Sequence, residues 1–396
     1  MRTQHLVLKR GGFYWDRALL PREVFDTRLR EVQAAIAASG DEAWLIYGDA
    51  QGYGDIAFVS HFVPRLRSAL MLVHRDQPPT LLANVGLRDI PASKTLTWCE
   101  DVRPFSRLPH EVVKLIRERG LEKAKLGLVG TEQALPIAEW DAIEGELPGV
   151  TWTVRDEAFR RLRARKDPAE RTAVRAAAEV VRRGLETARE AFRVGTTMRR
   201  ATALIDRAMR LSAAEDVRIL VASGPQCGIA LRPPDDRTLT AGAVILLFIA
   251  VEVQRHWVEA AQTYVLGAAS PELAALAAKA GAAVDAMQAG ARAYIPVTLL
   301  AAAAEKAIGD PGLLHTARAY GFGHGIGLDQ EEPPLIERSS FGSVPENGAL
   351  ALHVVLHGGG IGAAAGRTVA VERDGATALV TTTPLIELHN SLDGVR

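Results

Sequence analysis

Apolar residues recur at helical spacing over 22–39, REVFDTRLREVQAAIAAS, and Gly40 supplies a C-terminal stop, so a first amphipathic helix is expected there. Short apolar runs between polar or Gly/Pro breaks predict strands over 43–47, 56–62, 69–73 and 80–83. A basic helix near 112–119 and strands over 125–129 and 150–154 complete a mixed α/β first domain. The text then changes to EAFRRLRARKDPAE over 157–170, where Asp167-Pro168 reads as an N-cap and first helical position. The boundary is therefore expected near residue 156, dividing the chain into domains of 1–156 and 157–396. Helices over 169–192 and 197–212 follow, broken by Val194-Gly195-Thr196. Strands are expected over 218–222, 244–253 and 256–266, the last two joined at Gln254-Arg255 as a hairpin. Helices over 271–288 and 297–308 precede a glycine-rich segment, and strands over 350–356, 367–372 and 378–381 close the chain. Antiparallel strands with helices gathered outside them predict an α+β second domain.

The length of 396 residues allows two domains that each bury a core, and a hydrophobic fraction of 48% is ordinary for a globular protein. The 47 basic and 47 acidic residues balance, so no overall field favours nucleic acid or an anionic membrane. The arginine-rich segment after residue 156 reads as a solvated helical face rather than a nucleic-acid site. The apolar run over 244–251 has strand length, well short of a membrane span of roughly 20 residues. The N-terminus lacks a secretory core, and Cys99 and Cys227 form no metal-binding or redox spacing. A cytoplasmic protein without nucleic-acid or membrane partners is the expectation.

The chemistry concentrates in AYGFGHGIGLDQEEPP over 319–334, where glycines flank His324 and permit close backbone approach. Glu259 and His353 lie within predicted strands; alone, a strand glutamate is commonly exposed and a strand histidine commonly a core residue. His357-Gly358-Gly359-Gly360 invites an oxyanion-hole reading, but the chain has no Gly-x-Ser-x-Gly elbow to go with it. Nor do the glycines around His324 follow a strand and open a helix, as a dinucleotide fingerprint would. Cys227, in SGPQCG, has no basic neighbour in sequence to make it a thiolate.

Gly-His-Gly-Ile-Gly-Leu followed by Glu-Pro-Pro, together with Leu-Thr-x-Gly at 239–242 and the order of these phrases, resembles the creatinase, prolidase and methionine aminopeptidase family. The resemblance implies a pita-bread α+β catalytic domain preceded by a smaller creatinase-type α/β domain. Two-metal members of that family use two aspartates, one histidine and two glutamates. Anchored on Gly242, the first aspartate position holds Phe248 and the second, eleven residues on, holds Glu259. His324 is the histidine; the first glutamate position, 29 residues further, holds His353, and the second falls on Gly366 or Arg367. The resemblance therefore implies a divergent member without the full dinuclear site, in which Glu259, His324 and His353 bind one divalent ion, iron, manganese or zinc.

Two further family histidine positions hold Leu231 and Glu331, which argues against ordinary aminopeptidase chemistry. Glu331, or Glu332 beside it, is a candidate general base, and Glu332 has an equally good structural reading in its Glu-Pro-Pro turn. His357 is a candidate proton shuttle if the strand continues, and Arg367 a candidate clamp for a substrate carboxylate. Members of this build are commonly homodimers in which the first domain of one subunit caps the other's pocket, which makes Phe62, Arg65, Tyr53 and Arg67 candidate substrate contacts. Three functions are consistent with these residues. The first is a single-metal enzyme acting on a small carboxylated amide or amino-acid-derived metabolite, by hydrolysis or iron–oxygen chemistry. The second is a metal-free C–N hydrolase resembling creatinase, and the third a binding-only pseudoenzyme.

Overall fold

The computed structural model describes residues 13–64, 67–224 and 230–389. The chain divides into two compact units, Met1–Ala164 and Arg165–Arg396. In the first, helices α1 (Arg22–Ser39), α2 (Gly54–Ser60), α3 (Ile90–Lys94), α4 (Leu108–Glu118), α5 (Thr131–Ala134), α6 (Ile137–Glu146) and α7 (Asp156–Ala164) accompany one sheet. Its strands are β1 (Ala43–Asp49), β2 (Ser68–His74), β3 (Thr80–Ala83), β4 (Asp101–Pro104), β5 (Lys125–Val129) and β6 (Thr151–Val154). They run in the order β4-β3-β2-β1-β5-β6, with β1, β2 and β3 antiparallel and the remaining pairs parallel.

Two expectations are corrected here. The strand expected over 56–62 is helix α2, and all but one of its residues are buried, so no polar face betrays a 3.6-residue period. The division between units falls after Ala164 rather than near 156, because α7 belongs to the first unit. Phe159 of α7 is fully buried, with its ring 6.4 Å from that of Trp44 and 5.7 Å from that of Phe58.

Asp41, fully buried, accepts from Arg155 Nε at 2.7 Å, Arg155 Nη2 at 2.9 Å and Trp44 Nε1 at 2.8 Å. Burial alone would raise its carboxyl, but these donors outweigh it and hold the group at about 2. A depressed folded value stabilises above the unfolded value and is lost as pH falls through the folded one. The first unit is therefore expected to lose stability from about pH 4 down to about pH 2. Asp41→Asn, which leaves the half-buried Arg155 without its carboxylate partner, is expected to cost about 2 kcal/mol at pH 7 in urea unfolding. The pH-dependent loss should vanish with it.

The second unit holds helices α8 (Pro168–Ala191), α9 (Met198–Leu211), α10 (Pro271–Gly290), α11 (Val297–Ile308) and α12 (Pro311–Tyr320). Asp167 caps α8 as expected, in a capping box with Glu170. The strands are β7 (Asp216–Ser223), β8 (Val244–Val253), β9 (His256–Leu266), β10 (Gly323–Gly325), β11 (Glu332–Leu335), β12 (Ala349–Gly358), β13 (Ile361–Val371), β14 (Ala376–Ala378) and β15 (Ile386–Leu388). They form one sheet in the order β11-β10-β12-β13-β9-β8-β7, with β14 beside β13 and β15 beside β9, and every pair but β15–β9 is antiparallel. The strand expected over 378–381 appears earlier, as β14.

Alternation along the strands sorts their side chains. Ile245, Leu247 and Ile249 of β8 and Val258, Ala260 and Tyr264 of β9 pack in one core with α8 and α9. Leu350, Leu352 and Val354 of β12 and Ala363 and Ala365 of β13 pack with α10 and α11. The opposite face carries Ala222, Leu246, Phe248, Ala261, Val355 and Ala364, a smaller cluster joined by Leu231 and Tyr320. The β8–β9 hairpin turns at Gln254 and Arg255, with φ of 47° and 67°. These left-handed conformations are costly for such residues, and Glu215 offsets the cost by accepting from Arg255 N at 2.9 Å and Arg255 Nη1 at 2.7 Å.

Candidate metal centre

Three strands of the second unit bring Glu259 (β9), His324 (β10) and His353 (β12) together on the face opposite the helices. Register does this work: His353 lies across from Gly366 on β13, and Gly366 across from Ala261 on β9. On β10, His324 lies across from Ala351 of β12. The approach of β10 to β12 requires a glycine before the histidine, because Gly323 has φ of 136° and a Cβ there would sit 2.0 Å from the Ala351 carbonyl oxygen.

One ligand atom from each of the three side chains lies within 4.8 Å of the others. Glu259 Oε1 is 3.5 Å from His324 Nε2 and 3.5 Å from His353 Nδ1, and the two imidazole centroids are 5.6 Å apart. The far nitrogen of each ring is engaged by a backbone carbonyl. His324 Nδ1 donates to Gly325 O at 2.9 Å, and His353 Nε2 to Tyr320 O at 3.3 Å. Such bonds fix the tautomer and turn His324 Nε2 and His353 Nδ1 towards Glu259 as potential lone-pair donors. His353 Nδ1 is buried and makes no hydrogen bond, so a cation between the rings and Oε1 would satisfy it. Two neutral imidazoles and a carboxylate, each steered by a second contact, fit a divalent transition metal.

Without an ion, the same closeness shifts charge. Burial alone would raise the Glu259 carboxyl, but the imidazoles of His324 and His353 outweigh it and hold the group well below the usual carboxylate range. Burial would likewise lower His324, but the Glu259 carboxylate outweighs it and pushes the imidazole up to about 9. A proton then occupies the place on Nε2 that a cation would take.

The three groups lie in a cavity of ≈ 290 Å³ whose walls include Leu220, Leu231, Phe248, Ala261, Leu335 and Val355. Glu331 and Glu337 also line it. Glu331 is exposed and on the cavity side, whereas Glu332 is buried, with its Oε2 2.8 Å from Lys166 Nζ. Arg367 is not in the cavity. It is on the helix face of β13, where Nη2 meets Asp285 Oδ1 at 3.0 Å and Nη1 donates to Gln288 Oε1 at 3.1 Å. Its neighbour Gly366 takes the cavity side. The substrate clamp expected of Arg367 is therefore not available from this face. His357 shares a face of β12 with His353 but is not among the cavity's lining residues, and its Nε2 is buried without a hydrogen bond. Phe62 and Tyr53 are buried in the first unit and Arg67 is exposed; Arg65 and Cys227 lie outside the described residues.

Gln330 is a site residue that motif and interval had not indicated. Its Nε2 donates to Glu259 Oε2 at 3.2 Å, leaving Oε1 as the oxygen that faces both histidines. Arg218 in turn donates to Gln330 Oε1 and stacks on Trp257 with its guanidinium 4.4 Å from the ring centroid. Gln330→Ala is expected to weaken metal binding about 10- to 100-fold in a competition titration, by letting the carboxylate turn. Unchanged affinity would remove Gln330 from the site. Lys166 works at one further remove: Glu332, which it holds, also accepts from Asp329 N at 3.1 Å and so pins the turn that carries Gln330 and Glu331.

The sequence profile of metallopeptidase family M24 matches residues 172–374, over half of the chain and all three clustered side chains. The chain belongs to metallopeptidase family M24. As an M24 hydrolase it has the pita-bread catalytic unit that the glycine-rich motif implied. Solved structures with the same two-domain fold include an X-Pro aminopeptidase from Thermotoga maritima MSB8, with a TM-score of 0.80 at 21% identity, covering 91% of this chain and 99% of that one. A recombinant prolidase from Thermococcus sibiricus gives a TM-score of 0.81 at 20% identity, covering 92% and 99%. The dipeptidase PepE from Mycobacterium ulcerans gives 0.79 at 21% identity, covering 96% and 100%. No curated protein matches the chain significantly. Among the described residues of this M24 chain, no helix is long and apolar enough to cross a membrane.

Proposed function

We propose that this M24 hydrolase cleaves an amide bond in a small molecule, using one divalent ion held by Glu259, His324 and His353. The observation that carries the proposal is the pair of tautomer-fixing carbonyls, Gly325 O and Tyr320 O, which leave two imidazole nitrogens and one carboxylate oxygen facing a common point. A divalent ion there supplies Lewis-acid polarisation of a carbonyl, and iron, manganese and zinc all accept this ligand set. One ion is proposed rather than two because Phe248, Ala261 and Gly366, which meet in register across β8, β9 and β13, offer no further ligand atom.

The remaining chemistry belongs to the chain's own groups. Glu331, at the open side of the cavity, takes a proton from the attacking water and returns it to the departing amine nitrogen as the C–N bond breaks. Glu332 does not serve, because Lys166 holds it. The apolar wall of Leu231, Phe248 and Val355 limits bulk water around the carbonyl and strengthens the electrostatic interactions there.

Elemental analysis of protein produced with iron, manganese and zinc supplied should return about one ion per chain. Hydrolysis of a panel of Xaa-Pro dipeptides and simple amides should then be lost on chelation and restored by the ion. Two ions per chain, or hydrolysis that survives chelation, would overturn the proposal. An intact panel with one ion bound would leave a binding-only pocket.

A further inference from the structure

The charges of the cavity are one-sided. Among the described residues, the charged groups that line it besides the cluster of Glu259, His324 and His353 are Glu331 and Glu337, and none is a lysine or arginine. Among the described residues neither carboxylate forms an ion pair. The basic groups near them in sequence are committed elsewhere, since Arg318 and Arg338 both turn to Glu305, at 2.7 and 3.8 Å. Arg367 turns to Asp285 and Gln288 on the far face of the sheet. Arg218 is held behind Gln330 and on the Trp257 ring.

Depth separates the two kinds of charge. Glu259 and His324 are buried at the floor, whereas Glu331 is exposed and Glu337 half-buried, which puts the two free carboxylates at the mouth. Between them the walls are Leu220, Leu231, Phe248, Leu335 and Val355. Polar substrates are discriminated by whether each charge they bring finds a partner or a like charge. A carboxylate placed at this mouth meets two carboxylates and no counter-charge; a cation meets two partners.

We infer that the cavity selects an amide whose body is apolar and whose mouth-side end is a cation, such as an ammonium or guanidinium, and rejects one that ends in a carboxylate. The inference rests on the amide-hydrolase reading for the orientation of the ligand, with its carbonyl at the floor. It replaces the carboxylated amide expected from sequence, for which Arg367 was to be the clamp. Glu337 is the specificity residue, since Glu331 has a second duty in proton transfer.

The test is binding to metal-loaded full-length protein of three matched phenylacetamides, carrying trimethylammoniomethyl, hydroxymethyl or carboxymethyl at the para position. The floor-side group is common to all three, so differences report the mouth alone. The cationic arm should bind about tenfold more tightly than the anionic one, the scale of one or two partly screened charge pairs. Glu337→Gln should shrink that ratio about fivefold, and Glu337→Arg should reverse it. Equal binding of the arms, tighter binding of the anionic arm, no binding of any arm, or a ratio unchanged in Glu337→Gln overturns the inference. Metal content is read on the same samples. One retained ion with no charge preference sinks the substrate class alone, and a charge preference without a bound ion sinks the metal-hydrolase reading alone.

Discussion

Glu259→Gln and His353→Ala are each expected to weaken metal binding by about a thousandfold or more, so that elemental analysis falls from about one ion per chain to a trace. His353→Ala removes one of the three atoms that face a common point and Glu259→Gln takes the negative charge from another, and the sheet offers no substitute, since the neighbouring cavity-side positions on β8, β9 and β13 are Phe248, Ala261 and Gly366. The fold should survive, because Glu259 and Ala261 are carried by a strand paired along its length with β8 and held to β13. Arg367→Ala and His357→Ala are the matched controls. Arg367 faces α10 and His357 is outside the cavity lining, so both variants should keep the ion. Full metal content in either Glu259→Gln or His353→Ala would rule out the ligand set.

Metal affinity is expected to fall about tenfold for each unit of pH below 9, hence about a thousandfold between pH 9 and pH 6. The proton that Glu259 stabilises on His324 must leave before Nε2 can bind a cation, and binding should release about one proton per ion at neutral pH, readable by calorimetry in buffers of different ionisation heat. Stability follows with opposite signs in the two forms. His324 is raised on folding, so in ion-free protein its contribution is complete below its unfolded value of about 6.5 and is lost as pH rises through about 9. Glu259 is depressed, so its contribution is complete above its unfolded value of about 4.3 and is lost as pH falls well below that. Ion-free protein should therefore lose stability from pH 7 to 9 while the ion-loaded form gains it. Parallel trends would mean that the proton and the ion do not compete for one place.

How far the sequence could be read depends on which residues are asked about. The β8–β9 hairpin, α8 with its Asp167 cap and the glycine-flanked His324 carry local signals, namely alternation, a capping box and a glycine spacing that backbone crowding explains. Helix α2 has no such signal, because a segment buried on nearly every side shows the same unbroken apolar run whether it coils or extends. Arg367 and Gly366 were indistinguishable by interval counting, since one residue of uncertainty flips a strand position from one face to the other; the pairing of His353 with Gly366 decides it. Gln330 stands inside the glycine-rich phrase, but it and Lys166 act through other side chains across 71 and 166 positions of sequence separation, which no local spacing indicates. The grouping of Glu259, His324 and His353 could be proposed because the resemblance supplied intervals to count from Gly242 and His324, but the two carbonyls that set the imidazole tautomers become visible only in the folded chain.

Gly366 also bears on how this site can change over time. A Cβ there would lie 3.0 Å from the Cβ of His353 and 3.2 Å from that of Ala261, closer than neighbouring side chains comfortably pack. A carboxylate introduced at this position alone would therefore be resisted by the histidine beside it. Placing an acidic side chain at position 366 would require the neighbouring strands to change with it, with a poorly packed sheet as the intermediate. The histidine and the glycine thus limit each other's replacement: a side chain at position 366 needs the strand beside it to give way first, whereas the exposed Glu331 at the cavity mouth is under no such restriction.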